Sequence, residues 1–166
     1  MTNITYLFLS IALLISCTEK DITNTIEQIN NEIQTDSMET TLAKITGVTV
    51  SGNAGNYTFN VTIESPDTGC DQYADWWEVI SPNEELLYRR ILAHSHVNEQ
   101  PFTRSGGPVQ IEENTEVIIR AHMNNLKYGS QIYRGSVSNG FKQDSLPIDF
   151  ALELETTAPL PKDCAF

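Results

Sequence analysis

The feature that most constrains the fold is an alternation of apolar and polar residues with a period of two. In the segment NYTFNVTI, polar residues alternate with Tyr57, Phe59, Val61 and Ile63. Successive side chains of a β-strand point to opposite faces, so this pattern predicts a strand with one buried face. The chain is therefore expected to build its core from sheets rather than from amphipathic helices.

Short segments of this kind recur at intervals of about 8 to 15 residues, with turn residues between them. Eight are predicted as strands: residues 45–50, 56–63, 75–80, 85–96, 108–111, 116–123, 130–137 and 149–155. This pattern favours an all-β fold, an antiparallel β-sandwich of the immunoglobulin or fibronectin III type over residues 43–166. A β-barrel is the alternative.

The amino terminus has the pattern of a secretory signal. Residues 1–16 contain no charged side chain, and their apolar run of about ten residues is too short to span a bilayer as a helix. The sequence Leu-Ile-Ser-Cys at 14–17 resembles the lipobox of bacterial lipoproteins. The resemblance implies cleavage before Cys17 and a lipid on its sulfur, which would anchor the chain to a membrane.

Residues 17–42 are expected to form an acidic, flexible tether after the lipidated cysteine. Residues 18–41 carry six acidic side chains and one lysine. Isoleucines at 22, 26, 29 and 33 have the spacing of an amphipathic helix, but the segment is short and rich in Thr, Asn and Ile, which are poor helix formers. A solvated tether with transient helix is therefore favoured over a coiled-coil stalk. The early Glu19-Lys20-Asp21 resembles the export signal of surface lipoproteins of the Bacteroidetes. This points to the bacterial cell envelope and to an outer membrane, on its periplasmic or surface face.

Assigning Cys17 to lipid leaves Cys70 and Cys164, which we predict to form a disulfide in an oxidising compartment. If successive strands alternate in direction, the second, fourth, sixth and eighth all end at the same end of the sandwich. Cys70 follows the second predicted strand and Cys164 follows the eighth, residues 149–155. The strand count therefore agrees with the pairing.

The same parity places three histidines at that end. His94 and His96 are expected on one face of the fourth strand, His122 ends the sixth, and Glu99 lies close behind in sequence. Imidazole and carboxylate groups are ligands for zinc or copper, so these four residues are a candidate metal site, with a metal-dependent enzyme as its extension. The alternative is that the imidazoles are partly buried and bonded to backbone or to nearby aspartates.

The pair Trp76-Trp77 raises a second hypothesis, because neighbouring residues on a strand face opposite ways. Trp77 suits the core. Trp76 is then expected on the outer face, either covered by a loop or by the carboxy-terminal segment, or stacked on a glycan. In the glycan-binding interpretation, hydrogen bonds would come from polar neighbours, namely Tyr73, Asp75, Arg89 or Arg90, and Arg104 would extend the binding surface.

Charge and motifs narrow the function classes. The net charge is −12, and no basic patch supports nucleic-acid binding. The sequence contains no nucleophile elbow, CxxC pair, phosphate-binding loop or HExxH motif, so an enzyme is expected only through the histidines. No cofactor is predicted with certainty; zinc or copper at those histidines is the candidate.

Three runs in the domain, GCDQYADWWEV, LLYRRILAHSHVNEQPFTRSGGPV and the final CAF, resemble a group of uncharacterised bacterial secreted proteins and lipoproteins with a single immunoglobulin-like domain. The resemblance covers most of residues 45–166 and implies that the domain is one unit, with no known activity. The sequence therefore predicts a lipid-anchored envelope protein that presents a β-sandwich binding or accessory module. A glycan or an envelope protein is the expected partner.

Overall fold

The structure is a computed structural model that describes residues 24–29 and 41–165. The chain divides into two units, Met1–Thr35 and Asp36–Phe166. In the first unit, residues 24–29 form a short helix with exposed side chains. Within the described ranges, no helix has the length and apolar character that a membrane span requires. The predicted signal peptide, Cys17 and most of the tether lie outside the described residues.

The second unit consists mainly of antiparallel β-structure. Its described residues form nine strands and one 3₁₀ helix: β1 (Lys44–Asn53), β2 (Asn56–Glu64), β3 (Ala74–Ile80), β4 (Leu86–Ile91), β5 (Phe102–Val109), β6 (Val117–Met123), β7 (Lys127–Tyr128), β8 (Gln131–Ser136), β9 (Gly140–Ser145) and the helix Leu152–Thr156. One sheet has the order β1-β2-β5. The larger sheet has the order β4-β3-β6-β8-β9, with β7 paired to the end of β6. Two sheets in this immunoglobulin-like order confirm the predicted sandwich.

The alternating pattern of β2 is confirmed in the core. Tyr57, Phe59, Val61 and Ile63 are buried, and they share one apolar cluster with Trp77 from β3. Because the polar residues between them point to the other face, this strand contributes to the core and to the surface at once.

The predicted strand 108–111 begins too late, because residues 105–107, which the sequence pattern left outside a strand, lie inside β5. Gly106 is needed in this strand for space and not for a turn. A Cβ at this position would lie 2.7 Å from Cζ2 of Trp77 and 2.8 Å from Cε1 of Tyr88, which is too close. The glycine leaves room for the indole in the core rather than turning the chain.

The predicted strand 149–155 is wrong. This segment forms a turn and a 3₁₀ helix, with Ala151 and Leu154 buried three residues apart, which matches three residues per turn. The eighth full pass of the sandwich is instead β9, an edge strand that was not predicted because its residues 142–145 are polar and exposed.

The predicted strand 85–96 is too long, because β4 ends at Ile91. The Leu92 N–H still bonds to the Asp75 carbonyl at 2.8 Å, after which the chain leaves the sheet. The carboxylate of Asp67 accepts the His96 N–H at 2.7 Å. His94 and His96 therefore lie in a loop, and their neighbours are not set by strand alternation.

Candidate functional site

Loops 65–73 and 92–101 meet at the end of the sandwich where β2, β4 and β6 finish; we call this the histidine end. Asp67 joins them, since its carboxylate accepts hydrogen bonds from Ser65 Oγ, the Ala74 N–H and the His96 N–H. The side chain of Asn124, just after β6, bonds to the Cys70 carbonyl and the Tyr73 N–H. The histidine end is thus a bonded assembly of loops from both sheets.

The structure brings His94 and His96 together, with ring centroids 4.5 Å apart. His94 is exposed, whereas His96 is buried and stacks on Phe102 at 3.8 Å. Neither ring nitrogen of His96 has a hydrogen-bond partner among the described residues. Burial lowers the pKa of His96, because a charged imidazolium would lose its hydration there.

The other two predicted metal ligands have different partners. Glu99 is exposed and bonds to Arg104 at 2.7 Å, which lowers the pKa of the glutamate. The His122 Nδ1 shares a hydrogen bond of 2.7 Å with Asp75. In the part of the chain that the structure describes, no three His, Cys, Asp or Glu residues are grouped to hold a metal ion. Of the four predicted metal ligands, His94 and His96 in the 92–101 loop are therefore the two that the structure brings together.

The residues considered for a glycan site lie in different environments. Trp76 and Tyr73 are buried, Arg90 is exposed on the edge strand β4, and Arg104 is half-buried on β5 beside Glu99. Burial raises the pKa of the Tyr73 hydroxyl. Trp76, with 3% of its surface exposed, has no open face on which a sugar could stack.

The outer face of the larger sheet carries a buried charged cluster that the sequence analysis did not identify. Glu78 is fully buried between two arginines, with Arg89 Nε at 2.7 Å and Arg120 Nε at 2.8 Å from its carboxylate oxygens. The three residues occupy facing positions on β4, β3 and β6. We call them the charged cluster. Its two cations exceed its one anion, so the arginines need further acceptors.

The carboxy-terminal segment supplies those acceptors. Residues 146–165, here called the strap, place main-chain carbonyls against the two guanidinium groups. Arg120 donates to the carbonyls of Phe150 and Ala151. Arg89 donates to those of Leu154, Thr157 and Pro159. All five contacts are to backbone oxygen atoms. The charged cluster therefore holds the main chain of the strap and makes none of these hydrogen bonds to its side chains.

An aromatic stack adjoins the charged cluster. The rings of Trp76 and His122 lie parallel, 3.6 Å apart, and the Arg89 guanidinium lies 4.5 Å from the Trp76 centroid. Burial raises the pKa of Asp75, against the opposing effect of its hydrogen bond to His122. Glu155 of the strap has a carboxylate oxygen 3.9 Å from His122 Nε2, and it pairs with Lys127 at 3.2 Å. Trp76 is therefore covered by an arginine that the strap holds in place.

A signal for this cluster was present in the sequence. On β3 and β6 the parity that puts Trp77 and Ala121 in the core puts Glu78 and Arg120 on the opposite face. These are central strands of the sheet, where ionisable residues on an outer face need either water or partners. The sequence does not show which, because the covering segment lies 30 or more residues further along.

The disulfide prediction is confirmed. Cys70 and Cys164 are bonded, with their Cα atoms 5.6 Å apart. The strap reaches the histidine end by crossing the outer face, and its Ala165 N–H donates to the Ala93 carbonyl. The predicted number of strands was therefore right for this pairing. However, β9 and the strap bring Cys164 back to the histidine end, and a strand at 149–155 does not.

Comparison with known proteins gives one match. A protein of the archaeon Halomicrobium mukohataei named "Putative lipoprotein" is 36% identical over 102 residues, which are 61% of this chain and 50% of that protein. The chain thus spans about half the length of the curated relative it matches. No protein-family model matches the chain. No solved structure matches it either.

Proposed function

We propose that the chain is a lipid-anchored protein of the cell envelope that presents its β-sandwich as a binding or accessory module. The observation that carries the proposal is the Cys70–Cys164 disulfide. Disulfides persist in oxidising compartments, so the bond supports export. It also leaves Cys17, of three cysteines, to carry the lipid. The similarity to a protein named as a lipoprotein supports the same assignment.

Replacing Cys17 tests the anchor. The native chain should partition into the detergent phase of a Triton X-114 extract, and its intact mass should exceed the polypeptide mass by the acyl groups. Cys17→Ser should move to the aqueous phase, whereas Ser16→Ala is the matched control and should stay with detergent. Equal partitioning of the native chain and Cys17→Ser would refute the anchor.

For the membrane face, we propose the outer surface of an outer membrane, reached through the acidic residues after Cys17. Cells that display the chain should lose the folded domain when treated with an external protease. Replacing Glu19, Lys20 and Asp21 with alanine should protect it, because the export signal would be lost. Protection of the native chain in intact cells would place the domain on the inner side instead.

For the binding surface, we propose the 92–101 loop at the histidine end. The Gln100 side chain bonds to Ser65, and the Glu99 N–H bonds to the His96 carbonyl, so the loop has a defined shape. Within this loop, Val97 is 48% exposed, and His94 is exposed as well. Loops held in a defined shape by a rigid scaffold are a usual place for recognition. Binding on a glycan array should be lost in Val97→Asp and kept in Thr49→Asp, a control at an exposed residue of β1; binding kept in Val97→Asp would exclude the loop.

A further inference from the structure

The exposed large apolar side chains of the second unit are distributed unevenly. Among its described residues there are four: Val97, Leu126, Ile148 and Leu160. The first three follow β4, β6 and β9 respectively, and the fourth lies on the strap. β4 and β6 finish at the histidine end, and so does β9, because its Ser145 faces Gln131 of β8, which is antiparallel to β6. Three of the four therefore lie in segments that begin at this end.

The opposite end of the sandwich has a different character. Its four connections are residues 54–55, 81–85, 110–116 and 137–139, and none of them exposes a large apolar side chain. They contain no lysine or arginine and five exposed glutamates: Glu84, Glu85, Glu112, Glu113 and Glu116. A single exposed apolar residue is ordinary on a protein surface. The difference between the two ends is what indicates a function for one of them.

The chain enters the domain at the histidine end. β1 begins at Lys44, which faces Glu64, the last residue of β2. Because β2 finishes at the histidine end, β1 starts there. Cys17, the proposed lipid site, is separated from Lys44 by 26 residues. The end with the exposed apolar side chains is therefore also the end that lies nearer to the proposed anchor along the chain.

Two exposed lysines lie at the histidine end. Lys127 is in β7, which pairs with the end of β6. Lys162 is two residues before Cys164, which is bonded to Cys70. Together with exposed acids such as Asp71, these lysines give the histidine end charges of both signs, whereas the connections at the opposite end carry negative charge alone.

The distance between the two ends decides how the glutamates act near a membrane. The nine residues of β2 span about 27 Å, at roughly 3.4 Å per residue. The Debye length is about 8 Å at physiological salt, so the glutamates are largely screened from a surface that touches the histidine end. A bilayer with anionic headgroups would thus attract the lysines of the histidine end and repel the glutamates of the other end.

We propose that the histidine end faces the lipid bilayer, with Val97, Leu126 and Ile148 at the membrane interface and the two lysines toward its anionic headgroups. The inference rests on the lipid anchor proposed above, and it makes the ligand of the 92–101 loop a molecule carried at the lipid surface. Three apolar side chains bury little area, so alone they bind a bilayer weakly. The anchor raises the effective concentration of the domain at the surface, which makes a weak contact sufficient.

Site-specific fluorescence on vesicles tests the orientation. The lipidated full chain is reconstituted in vesicles of three parts phosphatidylethanolamine to one part phosphatidylglycerol. With Cys17 acylated and the other two cysteines bonded, an introduced cysteine is the thiol that a nitrobenzoxadiazole label can modify. Labels at Val97→Cys and Leu126→Cys should emit at shorter wavelength and be quenched at least twofold by lipids with a doxyl group high on the acyl chain. A label at Asn83→Cys, exposed in the 81–85 connection, should show neither effect.

Charged substitutions test whether the apolar side chains make the contact. Leu126→Asp and Ile148→Asp, introduced together, should reduce the quenching of the label at Val97→Cys at least twofold, because a carboxylate is costly to remove from water. The matched control is Thr49→Asp with Ser51→Asp. It adds the same charge at exposed positions of β1 and should leave the quenching unchanged.

Flotation of the vesicles separates this inference from the anchor. If the chain floats with the vesicles, equal quenching at all three labelled positions, or stronger quenching at Asn83→Cys, would overturn the inference and leave the anchor standing. A chain that does not float would overturn the anchor and the inference with it. Quenching at Val97→Cys that the paired aspartates do not change would also overturn the inference, because the label itself would then account for the contact.

Discussion

Glu78 has the most demanding environment of the residues in the larger sheet. Its carboxylate is fully buried and balances part of the charge of Arg89 and Arg120. A buried ion pair adds little stability compared with an apolar replacement, because both charges lose hydration, yet removing one partner leaves a charge uncompensated. Glu78 is therefore expected to be intolerant of neutral substitution.

Glu78→Gln should lower the free energy of unfolding by about 3 to 5 kcal/mol, since it leaves two guanidinium groups buried without an anion. Urea denaturation followed by tryptophan fluorescence measures the change. The control is Glu116→Gln, at an exposed glutamate 3.5 Å from Arg134, which should cost less than about 1 kcal/mol. A small effect at Glu78 would mean that the cluster does not hold the outer face.

His96 should make the stability depend on pH. Its pKa in the folded chain lies below the usual value of 6.5. The unfolded chain therefore binds more protons between the two pKa values, and the free energy of unfolding falls as pH drops below about 6.5. The limit for one proton is about 1.4 kcal/mol per pH unit.

His96→Phe should remove this contribution. The phenyl ring keeps the stack on Phe102, and no ring hydrogen bond is lost among the described residues. Unfolding curves at pH 7.5 and 5.5 should show a smaller loss of stability on acidification than in the native chain. His94→Phe, at the neighbouring imidazole, should change the pH dependence less than His96→Phe, because burial is the largest cause of the lowered pKa of His96 and His94 a smaller one; the same slope in all three chains would contradict this assignment.

At the scale of elements, the strap is the feature that sequence patterns describe least well. Residues 149–155 alternate as a strand does, and yet they bury Ala151 and Leu154 at helical spacing. The local pattern allows both conformations, and the choice is made by carbonyl contacts to Arg89 and Arg120. In contrast, the alternation of β2 and the opposite orientation of Trp77 and Trp76 were predictable, because strand geometry alone decides them.

Leu154 should anchor the strap to the sheet. Leu154→Ala removes a side chain that is 7% exposed and packs near Ile80 and Ile118, and it should lower the free energy of unfolding by about 2 kcal/mol. Leu160→Ala is the matched control from the same segment. It is 43% exposed and should change stability by less than about 0.5 kcal/mol. Thermal or urea unfolding that ranks the two variants the other way would place the anchor elsewhere.

For the whole molecule, the three cysteines link the proposed location of the chain to its fold, because Cys17 is assigned to the lipid anchor and the other two form the disulfide. The Cys70–Cys164 pairing was predictable because an even number of alternating passes brings both residues to one end. The route by which Cys164 returns was not predictable, since an edge strand of polar residues and a strap without strand structure carry it. The position of the histidines was predictable to the end of the sandwich and no closer, because contacts with Asp67 in a loop and with Asp75 on β3 set their orientation.

The most direct test is peptide mapping, by mass spectrometry without reduction, of the chain purified from membranes. The account predicts one cross-linked peptide pair that contains Cys70 and Cys164, together with an amino-terminal peptide that begins at Cys17 and carries acyl groups. Free thiols at Cys70 and Cys164, or a disulfide that includes Cys17, would contradict it.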